Sequence, residues 1–133
     1  MNTEWQKIKD EILNSPKWLV SLDINDIVTL TSGNDNNINV LEASTMCSSD
    51  ERFNILVADI LNQYNTTNLM GCNPLKMLVF VQFPISFPIM MAEMNSVSEM
   101  INYITVDNII EIKWGLSPRE DKISRIVCAF NRL

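Results

Sequence analysis

The sequence predicts an α+β fold: a two-layer sandwich with one mixed sheet of about four to five strands, two main helices on one face, and an additional N-terminal helix. Three observations predict it. Two segments, near residues 52–64 and 91–104, carry apolar side chains at i, i+3, i+4 spacing. Residues 75–83 form a nearly continuous apolar run of strand length. The remaining apolar segments are short and bounded by Gly, Pro, Asn and Asp. The resulting order is helix, two or three strands, helix, strand, helix, strand, strand.

Each element has its own signature. In residues 4–14, Trp5, Ile8 and Ile12 share a stripe while Lys7, Lys9, Asp10 and Glu11 lie elsewhere, so this segment is an amphipathic helix that Ser15-Pro16 stops. Alternation in Ile27–Thr31 and Ile38–Ala43 around the turn residues 32–37 predicts a hairpin, and the preceding segment Trp18–Asp23 makes the count two or three strands. Ser48 or Ser49 then supplies an N-cap, with Asp50 and Glu51 in the first turn, where the helix dipole favours acids. The helix that follows turns Phe53, Leu56, Val57, Ile60, Leu61 and Tyr64 inward. The run Leu75–Phe83 suits a central strand, and Pro84 and Pro88 bracket a loop. A second helix over 91–104 turns Met94, Val97, Met100, Ile101 and Ile104 inward. Asn108–Trp114 is a strand, Gly115–Pro118 a turn, and Lys122–Phe130 a closing strand.

A chain of 133 residues is expected to form one domain over 1–133, with residues 1–16 as an appended helix. Its 10 basic and 16 acidic residues give a formal charge of −6, which argues against nucleic acid or an anionic membrane surface as partner. It contains no histidine, so imidazole-based metal ligation, general base chemistry and Ser-His or Cys-His nucleophiles are excluded. No GxGxxG or GxxxxGK[ST] pattern exists, so a nucleotide cradle of backbone amides is not expected. Cys47, Cys72 and Cys128 are widely spaced with no CxxC pair, which reads as core thiols in a reducing compartment. With no signal-peptide pattern and no apolar stretch of membrane-spanning length, a cytoplasmic protein is expected. No cofactor and no catalytic or metal residues are expected.

Three groups of residues remain as candidates. Asp23 and Asp26, with Asp35 near them, could orient water or bind a hard cation, or could be ordinary turn residues. Met90, Met91, Met94 and Met100 could form an adaptable binding surface, although Met91, Met94 and Met100 also fit the inner face of a helix. Phe83, Ile85 and Phe87 lie in an apolar loop that would make a partner contact if exposed, or pack beneath a neighbouring loop.

The second half of the chain resembles the carboxy-terminal domain of FtsZ, the tubulin-like cell-division GTPase. The resemblance is carried by Met77–Gln82, by Ala92–Ile101, by Ile112-Lys113-Trp114-Gly115 and by Ser124–Phe130, in the family's order and spacing. Upstream, Ser21–Ile27 looks like the family's NVDFADV loop, with Ser21 where the family has Asn. Leu41–Ser44 and Ser49–Arg52 look like the segment before its next helix. The resemblance implies that Ser21, Asp23 and Asp26 form an interaction loop whose acids reach across a filament contact to a neighbour's GTP. It also makes residues 26–31 a helix, whereas Ile27–Thr31 has strand propensity. No segment of this sequence resembles the family's nucleotide-binding domain, and its paired glycine is replaced by Phe83-Pro84. The chain alone would then bind no nucleotide and would not be an enzyme.

Two functions are expected from these readings. One is a non-catalytic protein–protein interaction or assembly module, binding itself or a tubulin-like partner. The other is a small α+β ligand-binding protein or enzyme with a site at a homo-oligomer interface, drawing on Asp23, Asp26 and Glu93 with Lys113 or Arg125.

Overall fold

A computed structural model describes residues 3–14, 38–66, 75–105 and 109–132. They form three helices, α1 (Thr3–Asn14), α2 (Arg52–Thr66) and α3 (Met91–Thr105). The four strands are β1 (Ile38–Thr45), β2 (Leu75–Pro84), β3 (Ile109–Arg119) and β4 (Ser124–Arg132). The sheet order is β1-β4-β2-β3. β4 runs antiparallel to β1 and β2, and β2 runs parallel to β3 through the α3 crossover. Strands β1, β2 and β3 therefore all end at the same edge of the sheet, where β4 begins.

The apolar run of β2 has a direct cause: both faces of this strand are covered. Met77, Val79, Val81 and Phe83 pack with Phe53, Leu56, Ile60 and Tyr64 of α2 and with Val97, Met100 and Ile104 of α3. Leu78 and Phe80 point the other way and pack against Trp5, Ile8 and Ile12 of α1. The same alternation divides β4, with Ile126, Cys128 and Phe130 under α2 and α3, and Val127 and Ala129 under α1. Burial without a polar partner pushes the Cys128 thiol up to about 12, as expected for a core cysteine.

The α+β class, the mixed sheet and the two main helices on one face are as the sequence predicts. The N-terminal helix is more than an appendage, because it closes the opposite face and adds a third layer there. The C-terminal strands also depart from expectation. Gly115–Pro118 is part of β3, which runs on to Arg119, and the reversal falls at residues 120–123. Gly115 is buried opposite Phe80, so it is a strand residue. Pro118 is tolerated because, among the described residues, β3 is paired on one side only. α2 begins at Arg52, while the Ser49 hydroxyl accepts the Glu51 amide at 3.3 Å in the turn before it. Met91, expected on the inner face of its helix, is instead 82% exposed. The hairpin strand at 27–31, its turn at 32–37, the segment Trp18–Asp23 and Cys72 lie outside the described residues.

Trp5 has no exposed surface, so Trp5→Ala should remove about 3–5 kcal/mol of unfolding free energy. Urea denaturation followed by circular dichroism measures this, and a loss under about 1 kcal/mol would show α1 to be dispensable.

Candidate interaction site at the carboxyl end of the sheet

Arg52 opens α2 in phase with Leu56, Ile60 and Tyr64, so the periodicity that buries those residues buries the guanidinium as well. None of its surface is exposed. A charge in that position must be paired and fully hydrogen-bonded, and here its five N–H donors meet five acceptors. Nε donates to Glu93 Oε2 at 2.7 Å and Nη2 to Glu93 Oε1 at 3.0 Å, the bidentate arrangement that suits a carboxylate. Nη1 donates to the Phe87 carbonyl at 2.7 Å and to Ser124 Oγ at 3.3 Å, and Nη2 to the Pro88 carbonyl at 2.9 Å. The Phe87 ring lies over the guanidinium with its centroid 3.7 Å from Cζ.

Glu93 has a second role. It is the third residue of α3, and its Oε1 accepts the Met90 amide at 2.9 Å, the return half of a capping box. Burial alone would raise its pKa. The Arg52 hydrogen bonds, the Met90 amide and the guanidinium charge outweigh that and hold it below the ordinary value. One ion pair therefore fixes the start of α2, the start of α3 and the loop between β2 and α3.

A second arginine cluster occupies the same edge on the α1 face. Arg125 pairs with Glu42 of β1 through Nη2 at 2.6 Å and with Glu11 of α1. It also donates to Gln82 Oε1 at 3.1 Å, and the same oxygen accepts Arg119 Nη1 at 2.8 Å. Arg119 in turn holds Asp121 at 2.7 Å. Hydrogen bonds from Arg119, set against slight burial, lower the Asp121 pKa to about 2.

Between α2 and α3, outside the Arg52 pair, lies a cleft of about 340 Å³ lined by Asp50, Glu51, Asn54, Met90 and Ser96 among others. Ser96 Oγ donates to Asn54 Oδ1 at 3.0 Å and Asn54 Nδ2 to Glu51 Oε2 at 2.9 Å, tying the two helices together along its floor. Among the described residues no three His, Cys, Asp or Glu side chains converge as metal ligands would.

The residues singled out from the sequence are distributed as follows. Ser21, Asp23 and Asp26 lie outside the described residues. Phe83 is a core residue and offers no surface, Ile85 is half exposed, and Phe87 is partly covered because its ring lies on Arg52. The apolar loop is thus divided between core, surface and the arginine pair. Glu93 and Arg125, grouped as polar residues of one oligomer-interface site, stand on opposite faces of the sheet in separate clusters. Sequence reasoning missed Arg52. Its signal was an arginine on the buried stripe of an amphipathic helix, which requires a carboxylate elsewhere in the core.

Arg52→Ala should cost about 3–5 kcal/mol, because it leaves Glu93 buried without its counter-charge, while replacing both residues by methionine should recover most of the loss. Acid dependence gives an independent reading. The Glu93 pKa is depressed in the fold, so its contribution is present above the ordinary value of 4.5 and is lost as pH falls through the folded value. Urea denaturation across this range should show Glu93→Gln with a flatter acid profile than the parent, and coincident profiles would refute the role given to the pair.

Neither a family model nor a curated protein matches this chain. Solved structures do. A TubZ-Bt subunit in a helical model of a four-stranded filament superposes with a TM-score of 0.68 at 13% identity, over 97% of this chain and 32% of that one. A mutant form of FtsZ from M. jannaschii gives 0.63 at 17% identity, over 100% of this chain and 42% of that one. CetZ from Methanosaeta thermophila gives 0.60 at 12% identity, over 97% and 34%. At such identities the likeness is one of fold. The chain spans between 32% and 42% of the length of these proteins, and its fold is that of one part of a tubulin/FtsZ-like chain.

Proposed function

We propose that this chain is a non-catalytic protein–protein interaction module that joins or modulates a tubulin-like assembly. The observation that carries the reading is the coverage: nearly all of this chain superposes on only a third or so of proteins whose structures include a TubZ filament and GDP-form TubZ protofilaments. A domain of that shape, in a sequence without histidine or a glycine-rich phosphate loop, is suited to contact and not to nucleotide turnover. The engaged state of the charged groups supports the same reading. Arg52 and Glu93 satisfy each other, as do Arg125, Glu42 and Glu11, and their chemistry is spent on holding loops in place. Nucleic acid and membrane surfaces are poor partners for a chain of charge −6. No helix among the described residues is long and apolar enough to cross a membrane.

Sedimentation of polymerising TubZ or FtsZ with and without this chain tests the proposal. Bound at equimolar ratio, the chain should enter the pellet or change the pelleted mass by roughly twofold, and the chain alone should release no phosphate from GTP. Unchanged polymer with the chain left in the supernatant, together with no self-association by analytical ultracentrifugation, would overturn it.

A further inference from the structure

We propose that the cleft between the first turns of α2 and α3 docks a basic, apolar polypeptide segment of a partner protein. The inference rests on the reading that this chain works by binding protein, and adds where it binds and to what chemistry.

Position is the first argument. The loops after β1 and β2 meet at the carboxyl edge of the sheet, and loops positioned by a rigid scaffold are where binding residues concentrate. Rigidity is the second. Arg52, Glu93 and the Ser96–Asn54–Glu51 chain fix both walls, so little ordering is needed when a ligand enters.

Surface chemistry is the third argument. Met91 is 82% exposed and Met90 58%, at the first turn of α3, whereas the comparably exposed Met46 lines a separate cleft with Phe87 and Lys122. Met90 lines the cleft itself. Unbranched thioether side chains adapt to varied partners, which suits a peptide-binding surface. Single exposed apolar residues need no explanation, but Met90 and Met91 are adjacent at the rim of a preformed cleft and together give it an adaptable apolar wall.

Charge selects the occupant. Glu93 is neutralised by Arg52, whereas among the described residues Asp50 and Glu51 make no ion pair and no basic side chain lines the cleft. An incoming Lys or Arg can lay its aliphatic stem on Met90 and bring its cationic head to these carboxylates. A second copy docking through the same face about a two-fold axis would set Asp50 and Glu51 against their own counterparts. A basic segment from another protein meets no such repulsion.

The test uses the full chain with carbon-13-labelled methionine methyl groups and two amphipathic probe peptides of equal length. The peptides share the same leucine positions, and one carries lysine where the other carries glutamate. The lysine peptide should shift the methyl signals of Met90 and Met91 while leaving those of buried Met77 and Met100 in place. The double variant Asp50→Lys/Glu51→Lys should weaken its binding about tenfold or more, and Met90→Ser/Met91→Ser, which alters only exposed side chains, should weaken it comparably. Equal binding of the glutamate peptide, undiminished binding to both variants, no binding of the lysine peptide, or Met90 and Met91 shifts that follow the concentration of the chain itself would each overturn the proposal. The titration contains no filament, so its failure is a separate result from failure of the sedimentation experiment.

Discussion

A guanidinium with no surface in water, placed by helical periodicity among Leu56, Ile60 and Tyr64, is the constraint on which the carboxyl edge of this sheet depends. Such a charge persists only if every donor finds an acceptor. The acceptors come from the Phe87–Pro88 backbone, from α3 and from the start of β4, which lie 35 to 72 positions from Arg52 and reach it only when the sheet is assembled. The loop between β2 and α3 is therefore not free to choose its path. Its carbonyls are ligands of Arg52, its aromatic ring covers the charge, and its last amide is capped by the carboxylate that neutralises it. A buried pair of this kind adds little net stability over a well-packed apolar pair, and its contribution is to specify one arrangement of the loops.

The arginine cluster on the opposite face works under different conditions. Arg125 is nearly buried, but the side chains of Glu11 and Glu42 are 33% and 40% exposed, so water competes for the carboxylates and screens the pairs. It aligns α1 with β1 and β2, whereas the apolar contacts of Trp5, Ile8 and Ile12 with Leu78 and Phe80 hold the helix down. The two ends of the interaction scale thus sit on the two faces of one sheet edge: a sealed ion pair where the cleft opens, and a solvated one where the helix is already secured by packing.

Much of the fold was legible because burial leaves a periodic trace. The unbroken apolar run of β2 signals a strand covered twice, and the i, i+3, i+4 stripes of α2 and α3 name their buried residues almost one for one. The errors arose where a local rule competed with a sheet. Gly115 and Pro118 have turn chemistry, yet β3, an edge strand among the described residues, accepts both, since Gly115 packs opposite Phe80 and Pro118 needs no outward hydrogen bond there. Met91 is on the outside because Val97, Met100 and Ile104 already define the inward stripe. The site was less legible than the fold. Glu93 could be named as a polar residue of interest, but its partner at residue 52 is 41 positions away, and no local pattern joins them.

The likeness to TubZ, FtsZ and CetZ at 12–17% identity follows from the same physics. A mixed sheet with helices on its faces is specified by which positions are apolar, and many sequences satisfy that pattern without sharing residues. Loops carry no such obligation, so the surface at the end of a shared sheet is where chains of one fold diverge in what they bind. Here that surface joins a rigid support to adaptable side chains: an arginine pair that permits one loop path beneath methionines that accommodate many shapes above it. Such a combination fixes where a partner meets the molecule while leaving the exact packing of its apolar residues open, and charge at Asp50 and Glu51 then supplies the selection that methionine cannot.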